Sequence, residues 1–178
     1  KKVDICETKF ILTEANDNSE EILEELKASY KKIKAKDFSH SLVREKEANK
    51  AKGDIVVFIT QDITISNDLW LYELVKDIEK GNCEASFSRQ IAYEGHGMEK
   101  YIREVNYPEE ERIVSKDDLK RLGLMTFFFS DASSAVLKSK FMELNGYDGK
   151  DLPTNEDMYF AHKLILNGGR IKYAAKSV

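Results

Sequence analysis

The run Ile55-Val56-Val57-Phe58-Ile59 is the longest unbroken apolar segment of this 178-residue chain. Its β-branched and aromatic side chains favour a β-strand, and it is far shorter than the roughly 20 residues that a membrane span needs. A strand that is apolar on both faces is usually covered by helices on both sides, as in a parallel sheet. The run therefore predicts an α/β fold in which a mostly parallel sheet has helices on both faces.

Short apolar segments alternate with amphipathic segments along the rest of the chain. Phe10-Ile11-Leu12-Thr13 predicts a strand, and the helical spacing of apolar residues from Glu20 to Ile33 predicts a helix. Gly53 and Gly81 are expected to end helices. The charged segment 109–121 is predicted to be a surface helix or a lid. The remaining predicted strands are 85–90, 125–129 and 170–174, and the remaining predicted helices are 48–52, about 68–80, 138–144 and about 155–167.

Charge and glycine patterning exclude several classes of protein. The net charge is −4 and no basic block is long enough to follow a phosphate backbone, which argues against a nucleic-acid partner. Gly95-His96-Gly97 lacks the third glycine of a dinucleotide loop and does not join a strand to a helix. No serine lies in a nucleophile elbow. Cys6 and Cys83 match no metal or redox spacing, so reduced thiols in a cytosolic protein are expected, with a single disulfide left as the alternative.

Polar side chains that directly follow the predicted strands are the first candidates for a binding site. In open α/β sheets, ligands bind beyond the carboxyl ends of the strands. Asp62 follows the most apolar strand and could hold Mg²⁺ or Mn²⁺, which take one or two protein carboxylates and complete their shell with phosphates and water. The alternative is that Asp62 only caps the next turn. The strand-end candidates are Glu14, Asp62, Arg89 and Asp131.

Asn155-Glu156-Asp157 marks the start of the last predicted helix. A carboxylate here that faces a cleft could act as a general base toward a hydroxyl group. The alternative is structural, because Thr154 and Asp157 have the spacing of a capping box and acids are favourable at a helix start. The residues alone leave both interpretations open.

Six short motifs follow one another along the chain, and six in order are far more specific than any one of them. They are Asp37-Phe38-Ser39-His40, the segment from Lys52 to Asp62, Ser88-Arg89-Gln90, Asn106-Tyr107-Pro108, Phe127-Phe128-Phe129-Ser130-Asp131 and Asn155-Glu156-Asp157-Met158. Together they resemble the motifs of family 2 glycosyltransferases of the rhamnosyltransferase branch. The resemblance extends roughly from Phe10 to the end of the chain and implies the GT-A fold, a Rossmann-like sheet that binds a sugar nucleotide and a divalent cation.

The resemblance also implies roles for individual residues. Glu14 stands where the family usually has an aspartate near the nucleoside, and Asp62 stands at the last acid of the DxD-type motif, which contacts metal and diphosphate. Asp157 stands at the position of the catalytic base. Arg44 and Arg89 are expected on the donor side.

Asp131 and Glu156 are expected on the acceptor side of the same cleft. The implied reaction is inverting transfer of a sugar from dTDP-L-rhamnose or a similar donor to a polysaccharide or a lipid-linked saccharide. The implied location is cytoplasmic, with peripheral association at the inner face of a membrane.

Departures from the family pattern define the alternatives. The motif Thr60-Gln61-Asp62 offers one acid for a metal, and Ser41-Leu42 replace residues that are often glycines, beside the donor pocket. The first strand and helix of the family are expected before Lys1, so residues 1–178 are interpreted as a single, partial GT-A domain. One alternative function is a non-catalytic remnant that binds a glycan or a protein. A weaker one is a nucleotidyltransferase, which would need a basic triphosphate loop.

Overall fold

The computed structural model describes residues 2–92 and 97–178. This part of the chain contains seven strands and seven α-helices, which alternate except that α6 is followed directly by α7. The strands are β1 (Phe10–Thr13), β2 (Tyr30–Ile33), β3 (Ile55–Ile59), β4 (Ala85–Ser88), β5 (Arg112–Val114), β6 (Ser133–Leu137) and β7 (Ile171–Ala174). The helices are α1 (Ser19–Glu25), α2 (His40–Lys50), α3 (Trp70–Glu79), α4 (Gly97–Asn106), α5 (Leu119–Leu122), α6 (Lys138–Glu143) and α7 (Glu156–Leu166).

The strands form two sheets. β1 and β2 form a parallel pair, and the other five strands have the order β3-β6-β4-β7-β5. Strands β4 and β7 are parallel, but the other three pairings of the larger sheet are antiparallel. The α/β class is confirmed, whereas the expectation of a mostly parallel sheet is wrong. The reason is that β6 lies between β3 and β4 and runs opposite to both, so that β3 and β4 share a direction without pairing.

Helices cover both faces of the larger sheet, as predicted. Val56 and Phe58 of β3 belong to the core under α6 and α7, together with Phe141 and Phe160. The alternate residues of β3 pack toward α3, whose Leu74 is fully buried. This alternation explains why the strand is apolar throughout. Cys83 lies in the α3 core and Cys6 is exposed, and both thiols are free rather than joined in a disulfide.

The predicted helix from Glu20 to Ile33 is only half correct. α1 ends at Glu25, and Lys27 has a left-handed backbone with φ of 52° that turns the chain. Residues 30–33 then form β2 in register with β1, so Phe10 faces Tyr30. Pairing with a distant strand outweighs the helical spacing of these apolar residues, because it satisfies their backbone groups and extends a sheet.

The strand predicted at 125–129 is also wrong. Residues 123–127 form a 3₁₀ turn, and the strand is β6, which begins at Ser133. Two serines begin this strand, and their hydroxyl groups are buried but paired: Ser134 bonds Asp131, and Ser133 accepts a bond from the Trp70 indole at 2.9 Å. Buried hydroxyl groups are tolerated when they are hydrogen-bonded, so polarity did not prevent a central strand here.

Other boundaries shift more modestly. The helix predicted at 48–52 is the end of α2, and Gly53 does not have the positive φ of a helix cap, whereas Gly81 does at 71°. Within the segment predicted as a surface helix or lid, residues 112–114 form β5 at the sheet edge. Segment 92–108 had no firm prediction and contains α4.

Candidate active site

Helix α2 is the element that connects the parts of the site. The Ser39 hydroxyl caps it by accepting a bond from the amide of Leu42, at 3.2 Å. Within the first turn, the Ser41 hydroxyl donates to the Lys150 carbonyl at 2.7 Å and accepts from the Leu152 amide at 2.9 Å. Ser41 is fully buried by these contacts. They attach the loop that precedes α7 to α2.

The Glu45 carboxylate strengthens the same attachment. It accepts hydrogen bonds from the backbone amides of Tyr147 and Gly149. A carboxylate that accepts several backbone N–H bonds holds a loop more tightly than neutral contacts do, because such bonds are charge-assisted. The segment that leads into α7 is therefore fixed relative to α2.

Arg44 lies on the face of α2 that points toward α7 and the start of β6. Its guanidinium forms an ion pair with Glu156, and Nη1 is 3.9 Å from Oδ2 of Asp131. Glu156 and Asp131 are both buried. One cation therefore faces two buried carboxylates, which would be costly to bury without it.

Asp131 is the most enclosed acid of the group. Its Oδ1 accepts a bond from the Ser134 hydroxyl at 2.5 Å, and its Oδ2 accepts one from the Tyr147 hydroxyl at 2.7 Å. Burial raises the pKa of this carboxyl group, and the nearby Arg44 opposes that rise. Asp131, expected on the acceptor side, thus lies beneath the surface of the site with both carboxylate oxygens already bonded within the protein.

Asp157 is partly buried beside this group. Its Oδ1 accepts the Met158 amide at 2.7 Å, and its Oδ2 accepts the Asp131 amide at 3.3 Å. Burial raises the pKa of Asp157 to about 6, with a further rise from the negative charges of Asp131 and Glu156 that the two amide bonds oppose. A carboxylate with a pKa near the ambient pH can both accept and release a proton, which suits a general base.

The capping-box alternative for Thr154 and Asp157 is not formed. Asn155 is the residue before α7, with a left-handed φ of 57° and no side-chain capping bond. The carboxylate of Asp157 is instead oriented by the amides of Asp131 and Met158. Its position is set by contact with a distant segment as well as by the helix start.

Asp62 lies in the exposed turn after β3. The Thr60 amide donates to the Ala132 carbonyl at 3.1 Å, which ties this turn to the segment that carries Asp131. Within residues 2–92 and 97–178, no hydrogen bond or ion pair engages the Asp62 carboxylate, and no group of three or more acidic, His or Cys side chains forms a metal cage. The turn thus offers a divalent cation one exposed carboxylate, and such cations take one or two protein carboxylates and complete their shell with phosphates and water.

Glu14 follows β1 and lines a different cavity. This cavity has a volume of about 490 Å³, within the range of small-molecule sites. It lies between the small sheet and the other face of α2, and exposed Leu42 forms part of its wall. Its basic lining residues are Lys31, Lys32, Lys34 and Lys46.

Arg89 follows β4 and lies in neither of these places. It lines a smaller cavity of about 90 Å³, which shares no lining residue with the cavity of Glu14. One of its guanidinium nitrogens is 3.4 Å from the carboxylate of Glu109. The structure thus separates Arg89 from Glu14, although both were expected on the donor side.

Residues 10–144 match the protein family described as Glycosyl transferase family 2. The chain belongs to this family. That match covers both the turn of Asp62 and the segment of Asp131, whereas Asp157 lies beyond its end.

Two curated relatives place the family 2 chain near rhamnosyltransferases. It is 33% identical over 147 residues to the O-antigen chain rhamnosyltransferase WbaN of Salmonella anatum, covering 82% of this chain and 46% of the relative. It is 30% identical over 148 residues to the O-antigen chain rhamnosyltransferase RfbN of Salmonella typhimurium, covering 82% of this chain and 47% of the relative. The chain spans about half the length of the curated relatives it matches.

Solved structures support the fold of this family 2 chain. The crystal structure of S. aureus TarS 1-349 in complex with UDP-GlcNAc matches with a TM-score of 0.66 and 17% identity, covering 94% of this chain and 46% of that one. The crystal structure of the full S. aureus TarS matches with a TM-score of 0.65 and 16% identity, covering 95% of this chain and 29% of that one. These likenesses confirm the expected GT-A type of fold. None of the helices in residues 2–92 and 97–178 has the length and hydropathy of a membrane span.

The structure brings Arg44, Asp131, Glu156 and Asp157 into one cluster and places Asp62 at the same edge of the sheet. Sequence reasoning missed the supporting residues of this family 2 site. Ser41, Glu45 and Tyr147 make contacts between positions 102 to 111 residues apart in the chain. No local spacing reports such contacts, and the only signal was that Ser41 departs from the family pattern.

Proposed function

We propose that this chain carries the catalytic centre of an inverting glycosyltransferase. It would transfer rhamnose or a similar sugar from a nucleotide diphosphate donor, such as dTDP-L-rhamnose, to a saccharide acceptor. The observation that carries the proposal is Asp157, a partly buried carboxylate with a pKa of about 6 held by two backbone amides. The names of the rhamnosyltransferase relatives support the choice of sugar.

In the proposed reaction, Asp157 acts on the acceptor. Its carboxylate removes the proton from an acceptor hydroxyl, and the oxygen then attacks the anomeric carbon from the face opposite the nucleotide. The bond from that carbon to the diphosphate breaks, and the proton remains on the carboxyl group of Asp157. The amides of Asp131 and Met158 keep the carboxylate in one orientation through this transfer.

In the proposal, three side chains act on this base without contacting the substrate: Arg44, Asp131 and Glu156. Arg44 was expected to contact the donor, but its guanidinium is mostly buried and is bound to Glu156. We assign Arg44 a positioning role: its positive charge offsets that of Asp131, whose amide orients Asp157. The negative charges of Asp131 and Glu156 also help to keep the pKa of Asp157 high.

The donor would occupy the cavity of Glu14. Its volume of about 490 Å³ suits a nucleoside diphosphate, with Glu14 near the nucleoside. Lys34 and Lys46 would lie near the phosphates, because Lys31 and Lys32 are paired with Glu47 and Glu20. Asp62 would hold Mg²⁺ or Mn²⁺ together with the diphosphate. Such a cation, when bound, offsets the negative charge that develops on the departing diphosphate.

The acceptor would be a polysaccharide or a lipid-linked saccharide at the cytoplasmic face of a membrane. The O-antigen relatives support this choice. A surface feature supports it too, because Met98, Tyr101, Ile102 and Val105 form an exposed apolar stripe along one side of α4. An amphipathic helix with an exposed apolar side is typical of proteins that lie on a lipid surface.

The central experiment compares this chain with its Asp157→Asn variant. Transfer from a radiolabelled sugar nucleotide should be lost in the variant, while binding of the nucleotide, measured by calorimetry with and without Mn²⁺, should stay within about twofold. Asp117→Asn, an exposed acid on the surface, is the matched control. Equal turnover by Asp157→Asn removes the base role. Absence of sugar-nucleotide binding by the unaltered chain would contradict the proposal and favour the binding-module alternative.

A further inference from the structure

The small cavity beside Arg89 is lined by three cations, Arg89, Lys100 and Arg103. Among its described lining residues Glu104 is the acid, while Glu99 and Glu109, which do not line it, lie 3.6 Å from Arg103 and 3.4 Å from Arg89. Its volume of about 90 Å³ corresponds to roughly three water molecules at about 30 Å³ each, which is the scale of a small anion. None of the roles proposed above accounts for this concentration of positive charge.

Contacts within the protein hold the Arg103 guanidinium in place. Arg103 donates to Oε1 of Gln90, and Nε2 of Gln90 donates to the Ser130 hydroxyl at 2.8 Å. The guanidinium carbon of Arg103 also lies 5.8 Å from the ring centre of Tyr107. A guanidinium fixed in this way loses little further freedom when it binds an anion.

Arg89 has unused bonding capacity at the same place. Its backbone amide is fixed by a bond to the Ser177 carbonyl at 2.9 Å, but its Nε is buried and has no hydrogen-bond partner among the described residues. A buried donor without a partner is costly. The nearby Glu109 side chain is 84% exposed, so an anion that enters can displace it easily.

The cavity is next to the proposed base. Gln90, which contacts Arg103, is bonded to Ser130, and the amide of the following residue, Asp131, orients Asp157. The negative charge of Asp157 is also among the causes that raise the pKa of Tyr107, a lining residue. An anion in this cavity would therefore lie near Asp157, which acts on the acceptor in the proposed reaction, and apart from the cavity of Glu14.

We propose that Arg89, Lys100 and Arg103 form a binding site for a phosphate group carried by the acceptor. Phosphate oxygens match the donors of guanidinium groups, and arginine is favoured where such oxygens are bound. The assignment to the acceptor rests on the proposed function, whereas the anion site itself does not. It changes the expected role of Arg89 from the donor to the acceptor side.

The test uses inorganic pyrophosphate as the probe, with the whole chain in metal-free buffer and binding measured by calorimetry. The unaltered chain should bind pyrophosphate, and the double variant Arg89→Gln/Lys100→Gln should bind it at least tenfold more weakly. Lys120→Gln, an exposed lysine outside the cavity, should bind as the unaltered chain does. Lys100→Glu, a change at an exposed position of α4, provides a second reading if the double variant folds poorly.

Further measurements separate the sources of the phosphate. Affinity for UDP and dTDP with Mn²⁺ should stay within about twofold in the double variant, and a sugar 1-phosphate or a polyprenyl diphosphate sugar should compete with pyrophosphate. Loss of nucleotide affinity in parallel with pyrophosphate affinity would show that the cavity belongs to the donor. No pyrophosphate binding by the unaltered chain, or equal binding by all variants, would overturn the anion site.

The same assay keeps this proposal distinct from the proposed function. Asp157→Asn should still bind pyrophosphate, since the substitution removes a negative charge and no ligand of the anion. If that variant retains turnover but the double variant loses pyrophosphate, the anion site stands and the base assignment fails. If the double variant binds pyrophosphate normally and Asp157→Asn is inactive, the base assignment stands and the anion site fails.

Discussion

The backbone amide of Asp131 donates a hydrogen bond to Oδ2 of Asp157 across 3.3 Å, while the side chain of Asp131 is bonded to Ser134 and Tyr147. One residue therefore fixes the orientation of the proposed base with its backbone and is itself fixed by its side chain. This arrangement leads to predictions for the carboxylates, for Arg44 and for the loop that joins them.

The pKa of Asp157 predicts a pH dependence of activity. Because burial raises this pKa to about 6, turnover at low substrate should fall about tenfold per pH unit below pH 6 and level off above it. A pH profile of kcat/KM checks this limb. A profile that is flat between pH 5 and 7 would contradict a role for Asp157 as the base.

The same raised pKa predicts that Asp157→Asn stabilises the fold at neutral pH. The folded state binds the proton more tightly than the unfolded state, whose pKa is near 3.8, so this group lowers stability as the pH rises from about 4 to 6. Removing the charge should raise the free energy of unfolding by about 1–3 kcal/mol at pH 8, on the scale of 1.36 kcal/mol per pKa unit. The gain should vanish near pH 4 in urea unfolding. A destabilised variant at pH 8 would show that the carboxylate is mainly structural.

Arg44→Gln should destabilise the protein strongly. It leaves the buried carboxylates of Glu156 and Asp131 without their cation, and breaking a buried pair in this way costs about 3–5 kcal/mol. The fall in activity at low pH should also begin at a higher pH, because the uncompensated negative charge of Asp131 and Glu156 raises the pKa of Asp157 further. Arg121→Gln, which breaks the exposed pair with Asp118, is the matched control and should cost less than about 1 kcal/mol. Equal effects of the two substitutions in urea unfolding would refute the positioning role of Arg44.

Ser41→Ala should loosen the loop before α7. The substitution leaves the Leu152 amide without its acceptor and the Lys150 carbonyl without its donor, at a cost of about 1–3 kcal/mol. Hydrogen exchange of the amides in residues 147–152 should become faster, while Ser139→Ala at an exposed position changes nothing. Unchanged exchange in this loop would mean that its other contacts with α2 and its cap, those of Glu45 and Ser39, are sufficient to hold it.

Asp62→Ala should remove the effect of metal on donor binding. The unaltered chain should bind dTDP or UDP more tightly with Mn²⁺ than with EDTA. The variant should bind the nucleotide with the same affinity in both conditions, because the nucleotide phosphates lose the cation that Asp62 helps to hold. Asp68→Ala, an exposed acid further along the same loop, should retain the metal effect. Metal-independent binding of the same strength in the unaltered chain and in both variants would exclude Asp62 as a metal ligand.

Local pattern was enough to predict the elements whose signal is short-range. Residues 55–59 form β3 as predicted, and the helix near 155–167 is α7. Such features depend on side-chain alternation, helical spacing and chain direction, which neighbouring residues encode. The family motifs also indicated the correct fold, because they sample sites spread along the whole chain.

Local pattern failed where distant segments compete for the same residues. Residues 30–33 have helical spacing but pair with β1. The serines that begin β6 are typical of a turn in sequence, but in the folded protein Asp131 and Trp70 form hydrogen bonds with their hydroxyl groups. The antiparallel position of β6 cannot be deduced from the composition of β3 either. In each case the deciding contact joins parts of the chain whose proximity exists only in the folded state.

The amino-acid order was sufficient to predict the α/β class and the family, and to select Asp62 and Asp157 as candidates. The pairing of Arg44 with Glu156, 112 residues away, the buried position of Asp131 and the separate cavity of Arg89 became visible in the folded chain alone. Burial and charge pairing depend on which surfaces meet. A carboxylate acquires its pKa and its role from those neighbours, which the order of residues does not reveal.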